Sequence, residues 1–150
     1  MSYKSPHQIK GFFDYVVPPL EGLWWQEGIK GVDYAHKETF SWISLIRVPD
    51  FINEEEVNWA KETALKKKEI DCSKLFLFEY DEGLCVQIMH MGSFDDEPAT
   101  VEKMHEYMIE QGYELEINES RHHHEIYLSD PRKVEVSKLK TLIRHPIKQK

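Results

Sequence analysis

The feature that most restricts the fold is the run between two glycines, Gly83 and Gly112, together with the segment that follows it. Gly83-Leu-Cys-Val-Gln-Ile-Met-His-Met-Gly92 alternates apolar and polar positions, as a strand does. Ser93-Phe-Asp-Asp-Glu-Pro98 is an acidic turn, and Ala99–Gln111 follows with helical spacing. Pro98 suits the first turn of that helix and Gly112 its C-terminal cap. Val101, Met104, Met108 and Ile109 form its apolar stripe. Strand-like residues resume at His122–Ser129. Strand, turn, helix and strand in this order require the helix to cover one face of a sheet. Ile126 and Leu128 are expected on the covered face, and Glu125 and Tyr127 on the open one.

The rest of the chain reads as further strands and one more helix. Phe12–Val17 is aromatic and β-branched and predicts a strand, bent or at an edge because Pro18 and Pro19 follow. Leu20–Gln26 continues extended, and the Gly-rich, polar stretch Glu27–Lys37 predicts a loop. Thr39–Val48 is apolar on both faces and predicts a central strand. Asn53 with Glu56 predicts a capped helix start, with acidic residues in the first turn and Lys66–Lys68 in the last. Its stripe is Val57, Ala60, Ala64 and Leu65, with Trp59 at the margin. Lys74–Tyr80 and the turn Asp81-Glu-Gly83 predict a hairpin over 74–91. Leu139–Arg144 predicts a closing strand that ends near Pro146. The order β, β, β, α, β, β, α, β, β indicates an α+β fold, an antiparallel sheet with helices on one face, in one domain over 1–150.

The net charge of −8 argues against a nucleic-acid footprint, which needs a basic face. No apolar run is long enough to span a membrane, and the N-terminus has no apolar leader, so a cytoplasmic protein is expected. Cys72 and Cys85 have no paired spacing and read as free thiols. Lys66–Lys68 reads as a solvated helix end. The methionines at 89, 91, 104 and 108 read as core filler.

Two groups of residues invite a chemical reading. In Arg121-His122-His123-His124-Glu125, alternation puts His122 and His124 on one face and His123, Glu125 and Tyr127 on the other. Neither face offers three ligands by itself, and no standard spacing links His90 or His105 to them, so no metal and no cofactor is expected. Glu125 with Tyr127 is the stronger group. A carboxylate walled by Trp and Tyr attracts cations, through its charge and through the ring faces. Partial desolvation would raise its pKa and suit it to acid–base work. Trp24 and Trp25 face opposite ways, so one can line the groove while the other packs, the alternative being that both pack at a strand end; Tyr15 and Tyr34 are weaker candidates of the same kind.

Tyr15-Val-Val-Pro-Pro-Leu-Glu-Gly-Leu-Trp24, Arg47-Val-Pro-Asp-Phe51, Glu82-Gly-Leu-Cys-Val-Gln87, Gly92-Ser-Phe-Asp-Asp-Glu-Pro98 and His124-Glu-Ile-Tyr-Leu-Ser-Asp-Pro-Arg132 together resemble the GyrI-like small-molecule-binding domain family, in particular its stand-alone members. The resemblance runs from about Gly11 to Ile147. It implies a duplicated β-α-β-β module about a pseudo-twofold axis, with a ligand groove between modules on the sheet face away from the helices. Related effector domains of multidrug-responsive regulators bind bulky, often cationic, aromatic compounds through a buried Glu and aromatic walls. Some stand-alone members hydrolyse cyclopropane-containing, DNA-alkylating natural products. Glu125 matches the functional acid; Tyr127 and one of Trp24 or Trp25 match its aromatic surroundings. Relative to the family, the first module lacks its first strand and helix. Met1-Ser-Tyr-Lys4 resembles the tail of that helix, as an internal methionine of a longer protein would, and a homodimer would cover the exposed face. The expected function is binding of an apolar or cationic aromatic ligand in sensing or sequestration, with cyclopropane hydrolysis as the alternative.

Overall fold

The computed structural model describes residues 9–26 and 34–150. The side chain of Tyr34, the segment 27–33 and the residues before 9 lie outside that description. The chain divides into two compact units. The larger comprises Pro19–Ile46 and Glu82–Lys150; the smaller comprises the lead-in to Pro18 and Arg47–Asp81.

The larger unit carries the sheet. Its strands are β1 (Glu21–Gln26), β2 (Phe40–Leu45), β3 (Cys85–Met91), β4 (Tyr113–Leu115), β5 (His123–Tyr127) and β6 (Lys140–Gln149). They form a six-stranded antiparallel sheet in the order β2-β1-β5-β6-β3, with β4 against the far end of β6. The expected hairpin over 74–91 does not form, because β3 takes its hydrogen bonds from β6. Thr39–Val48 shortens to β2 and is an edge strand rather than a central one: it pairs only with β1 in the sheet order. Its apolar outer residue Trp42 is 58% exposed. The closing strand runs on through Pro146 to Gln149. The Pro146 carbonyl still accepts from the Glu116 N–H at 2.9 Å, so the missing donor does not end the strand.

The helix predicted after the acidic turn is α2, Glu97–Glu110. Val101, Met104 and Met108 are buried with Val86 of β3 and Ile143 and Ile147 of β6. Each such side chain contributes about 1.5–3 kcal/mol by leaving water. Ile109 is exposed, one position off the stripe. Gly112 has φ of +87°, the left-handed conformation that ends a helix most cheaply at glycine. Tyr113–Leu115, missed in the sequence because it is so short, follows at once as β4.

Among its described residues the smaller unit holds one helix, α1 (Glu54–Lys68). The Asn53 side chain accepts from the Glu56 N–H at 3.2 Å, the predicted cap. Phe12–Val17 and Lys74–Tyr80 are not strands. Phe12, Phe13 and Tyr15 instead set their rings against Phe51, with centroids 5.3, 5.0 and 6.0 Å away. β-Propensity expresses itself only where a partner strand supplies a ladder, and among the described residues of this unit there is none. No helix among the described residues is long and apolar enough to cross a membrane.

Candidate functional site

The register of β5 decides which face its side chains share. Glu125 lies opposite Ile143, and Tyr127 opposite Thr141. Ile143 belongs to the core that α2 covers. Directly paired residues point to the same face. Glu125 and Tyr127 therefore lie on the α2 face, not on the open face expected from the sequence. The misreading came from taking Ile126 and Leu128 as the buried pair; Leu128 is 44% exposed and Ile126 half-buried.

Glu125 is itself 6% exposed. Its Oε2 accepts from the Tyr127 hydroxyl at 2.8 Å, and its Oε1 lies 3.4 Å from His123 Nε2. The Trp24 Nε1–H donates to the Tyr127 oxygen at 3.0 Å. Trp24 is thus the tryptophan that faces the site. Trp25 faces the other way and stacks on His122 at 4.8 Å. Gly22, the cross-strand partner of Glu125, makes the arrangement possible. A Cβ there would lie 2.8 Å from Trp24 Nε1 and 3.0 Å from the Tyr127 oxygen. Tyr15 belongs to the smaller unit, where it packs on Phe51.

The fourth wall was not foreseen. The acidic turn before α2 carries Phe94, whose ring meets Tyr127 edge-on at 6.0 Å. It also carries Glu97, the first residue of α2, 4% exposed and hydrogen-bonded to the Glu125 carboxyl. His90 fastens this turn to β3: its Nε2–H donates to the Ser93 carbonyl at 2.7 Å, while Nδ1 accepts from the Thr100 hydroxyl at 2.6 Å. The Glu-Pro pair at the helix start was the available signal, since an acid there gains from the helix dipole.

Burial alone would push Glu125 up, as the sequence reading expected. Hydrogen bonds from His123 and Glu97, the charge of His123, and the Tyr127 hydroxyl outweigh it and hold the carboxyl down at about 2. Glu125 is therefore a carboxylate. Tyr127 is pushed well above its usual range by burial and then by Glu125, so it keeps its proton.

Glu97, His123 and Glu125 bring three ligand-type atoms within 4.8 Å of one another. The third group comes from α2, which a face-by-face reading of β5 could not supply. In this structure the atoms contact each other and Tyr127. Around it Trp42 (6.0 Å from Trp24) and Phe94 present exposed aromatic faces. The arrangement is an ionised, hydrogen-bonded carboxylate with aromatic rings around it.

A buried acid with aromatic walls on an α+β scaffold defines a small-molecule-binding module. The chain belongs to the GyrI-like family, whose model, the GyrI-like small molecule binding domain, matches residues 2–148. It is similar to a hydrolase from Listeria innocua, with 42% identity and a TM-score of 0.85 over 96% of this chain and 69% of that one. A hydrolase encoded by lin2189 of the same organism is 44% identical, with a TM-score of 0.85 over 96% and 70% of the two chains. An uncharacterized conserved protein, also from Listeria innocua, is 45% identical, with a TM-score of 0.88 over 96% and 70%. No curated protein matches.

Proposed function

We propose that this protein is a hydrolase of flat aromatic small molecules, with Glu125 as its general base. The observation that carries the reading is the Glu125 carboxylate, held ionised and aimed by Tyr127 and His123 beside Trp24. The hydrolases among its structural relatives favour this reading over simple sequestration. The substrate class implied by the family resemblance is a cyclopropane conjugated to a carbonyl. Glu125 takes a proton from water; the water oxygen bonds to the ring methylene; the ring C–C bond breaks and its electron pair moves to the carbonyl oxygen. Tyr127 orients the base. Its hydroxyl donates to Glu125.

The test is incubation with a cyclopropane-containing alkylator, followed by mass spectrometry of the small molecule. A water-added product is expected from the wild type, with a loss on the order of a hundredfold or more in Glu125→Gln. Unchanged turnover in that variant removes Glu125 from the mechanism. Intact compound with quenched tryptophan fluorescence would leave a binding module without chemistry.

A further inference from the structure

Glu125 faces a row of three imidazoles. His123 presents Nε2 to the carboxylate at 3.4 Å and turns Nδ1 to His145 Nε2 at 2.5 Å. His145 sets Nδ1 2.8 Å from His105 Nε2. His145 is 0% exposed, and His105, on α2, is half-buried. The hydrogens of this row can be counted. Each of the two N···N contacts takes one hydrogen and no more. The ionised carboxylate requires one on His123 Nε2. A neutral imidazole carries one hydrogen, so three neutral rings supply three. Filling both contacts and both ends takes four, which gives the row one positive charge. With that charge on His123, its Nδ1–H donates to His145 Nε2, and the Nδ1–H of His145 donates to His105 Nε2. The reversed arrangement puts the same charge on His105, two rings away from the carboxylate. A buried anion is costly without a charged partner beside it, and this favours the first arrangement.

We infer that His145 is a positioning residue for Glu125: it accepts from the Nδ1–H of His123 and so keeps the His123 imidazolium turned with its Nε2–H on the carboxylate, while His105 fixes which nitrogen of His145 is the acceptor. The inference deepens the hydrolase reading above and rests on it for its effect on turnover. The base must be both ionised and aimed, and burial opposes its ionisation. Tyr127 gives it a neutral hydrogen bond; the row gives it a charge. The row has room for one charge only. A fifth hydrogen, arriving on His105 Nε2 in acid, meets the hydrogen already on His145 Nδ1 and breaks the contact. Burial and then the charge of His123 accordingly hold His105 below 6.5, and burial with both neighbouring imidazoles holds His145 well below that value. Besides His123 and His145, the strands packed on α2 carry His90, bonded to Ser93 and Thr100, and Glu114, paired with Lys148. Glu102, Lys103 and Glu106 beside His105 are exposed.

The first measurement needs no substrate. Ring-nitrogen NMR of the labelled protein at neutral pH should find His123 protonated on both nitrogens, and His145 and His105 on Nδ1. A neutral His123, or a hydrogen on His145 Nε2, overturns the inference. The second follows the Glu125 carboxyl carbon resonance against pH. His145→Phe offers no acceptor and should raise the Glu125 midpoint from about 2 toward its ordinary 4.5. His145→Gln, whose amide oxygen can accept from His123, should hold it down. An unmoved midpoint in His145→Phe, or an equal rise in both variants, overturns the inference. His105→Gln keeps an acceptor at the half-buried end but does not titrate. The wild-type Glu125 signal should show a second step below pH 6.5, as His105 takes the fifth hydrogen, and this variant should lack it. A step in both proteins, or in neither, overturns the inference. With a substrate, His145→Phe should lower kcat about tenfold with KM little changed, and His145→Gln should recover most of it. No loss, or a loss that the glutamine does not recover, overturns the positioning role. If the wild type turns over no substrate, the hydrolase reading fails by itself, and the resonances alone decide whether His145 positions Glu125.

Discussion

His123 and His124 are neighbours in sequence and opposites in environment. His123 faces α2 and joins a line of imidazoles that ends at one carboxylate. His124 faces the other side of the sheet and is clasped by two: Nε2 donates to Glu21 at 2.6 Å, and Nδ1 to Glu82 at 2.8 Å. Arg144 holds the second oxygen of Glu82 at 2.6 Å. Burial resists a charge on His124, but Glu21 and Glu82 overcome it and raise its pKa to about 9, so it is an imidazolium. The comparison teaches how a sheet sorts chemistry. One face spends its buried ionisable groups on a fixed ion-pair network. The other sets three imidazoles in a row beside one carboxylate.

Removing the fixed imidazolium should break the comparison most severely. His124→Phe leaves Glu21 and Glu82 buried without their shared partner and should cost about 3 kcal/mol, read as a lower urea midpoint. A variant as stable as the wild type would show that the network contributes nothing.

The pH dependence of stability sharpens the same contrast. The raised pKa of His124 stabilises the fold fully below its unfolded value of 6.5, and this is lost as pH rises through about 9. With screening allowed for, the loss is on the order of 2 kcal/mol. Glu82 works in the opposite sense. Burial opposes its charge, but His124 and Arg144 depress its pKa, so its contribution is present above 4.5 and fades as pH falls below that. Melting temperature should therefore fall on the alkaline side in the wild type and lose that slope in His124→Phe. An equal alkaline slope in both proteins would assign it to another group.

The α2 face should respond less in stability and more in activity. Tyr127→Phe strands the Trp24 Nε1–H and removes a hydrogen bond to Glu125, at a cost of about 1–2 kcal/mol. Turnover should fall about tenfold as the base loses its aim. A variant with unchanged turnover would show that His123 alone orients Glu125.

Much of the frame was legible in the chain because it rests on local signals. The Asn53 cap, the Pro98 start and Gly112 end of α2, its stripe, and the alternation of His122–Tyr127 all follow from backbone preferences and side-chain period. The site acid and its tyrosine were legible for the same reason: two strand residues with one position between them must share a face. The unpaired Phe12–Val17 and Lys74–Tyr80 show the limit of such signals, because a strand exists only with a partner.

The sequence by itself determined that Glu125, Tyr127 and His123 share one side of their strand, and that Trp24 and Trp25 face opposite ways. Only the tertiary structure decided which face that is, which tryptophan it uses, and which charge Glu125 carries. Those answers depend on register and on groups distant in the chain. Ile143 opposite Glu125 brings it under α2. Glu97 and His123 reverse the effect of burial on its pKa. His145 and His105, forty residues apart, meet because β6 and α2 pack together. A pKa and a hydrogen-bonded line are sums over neighbours in space, and local sequence patterns do not carry that information.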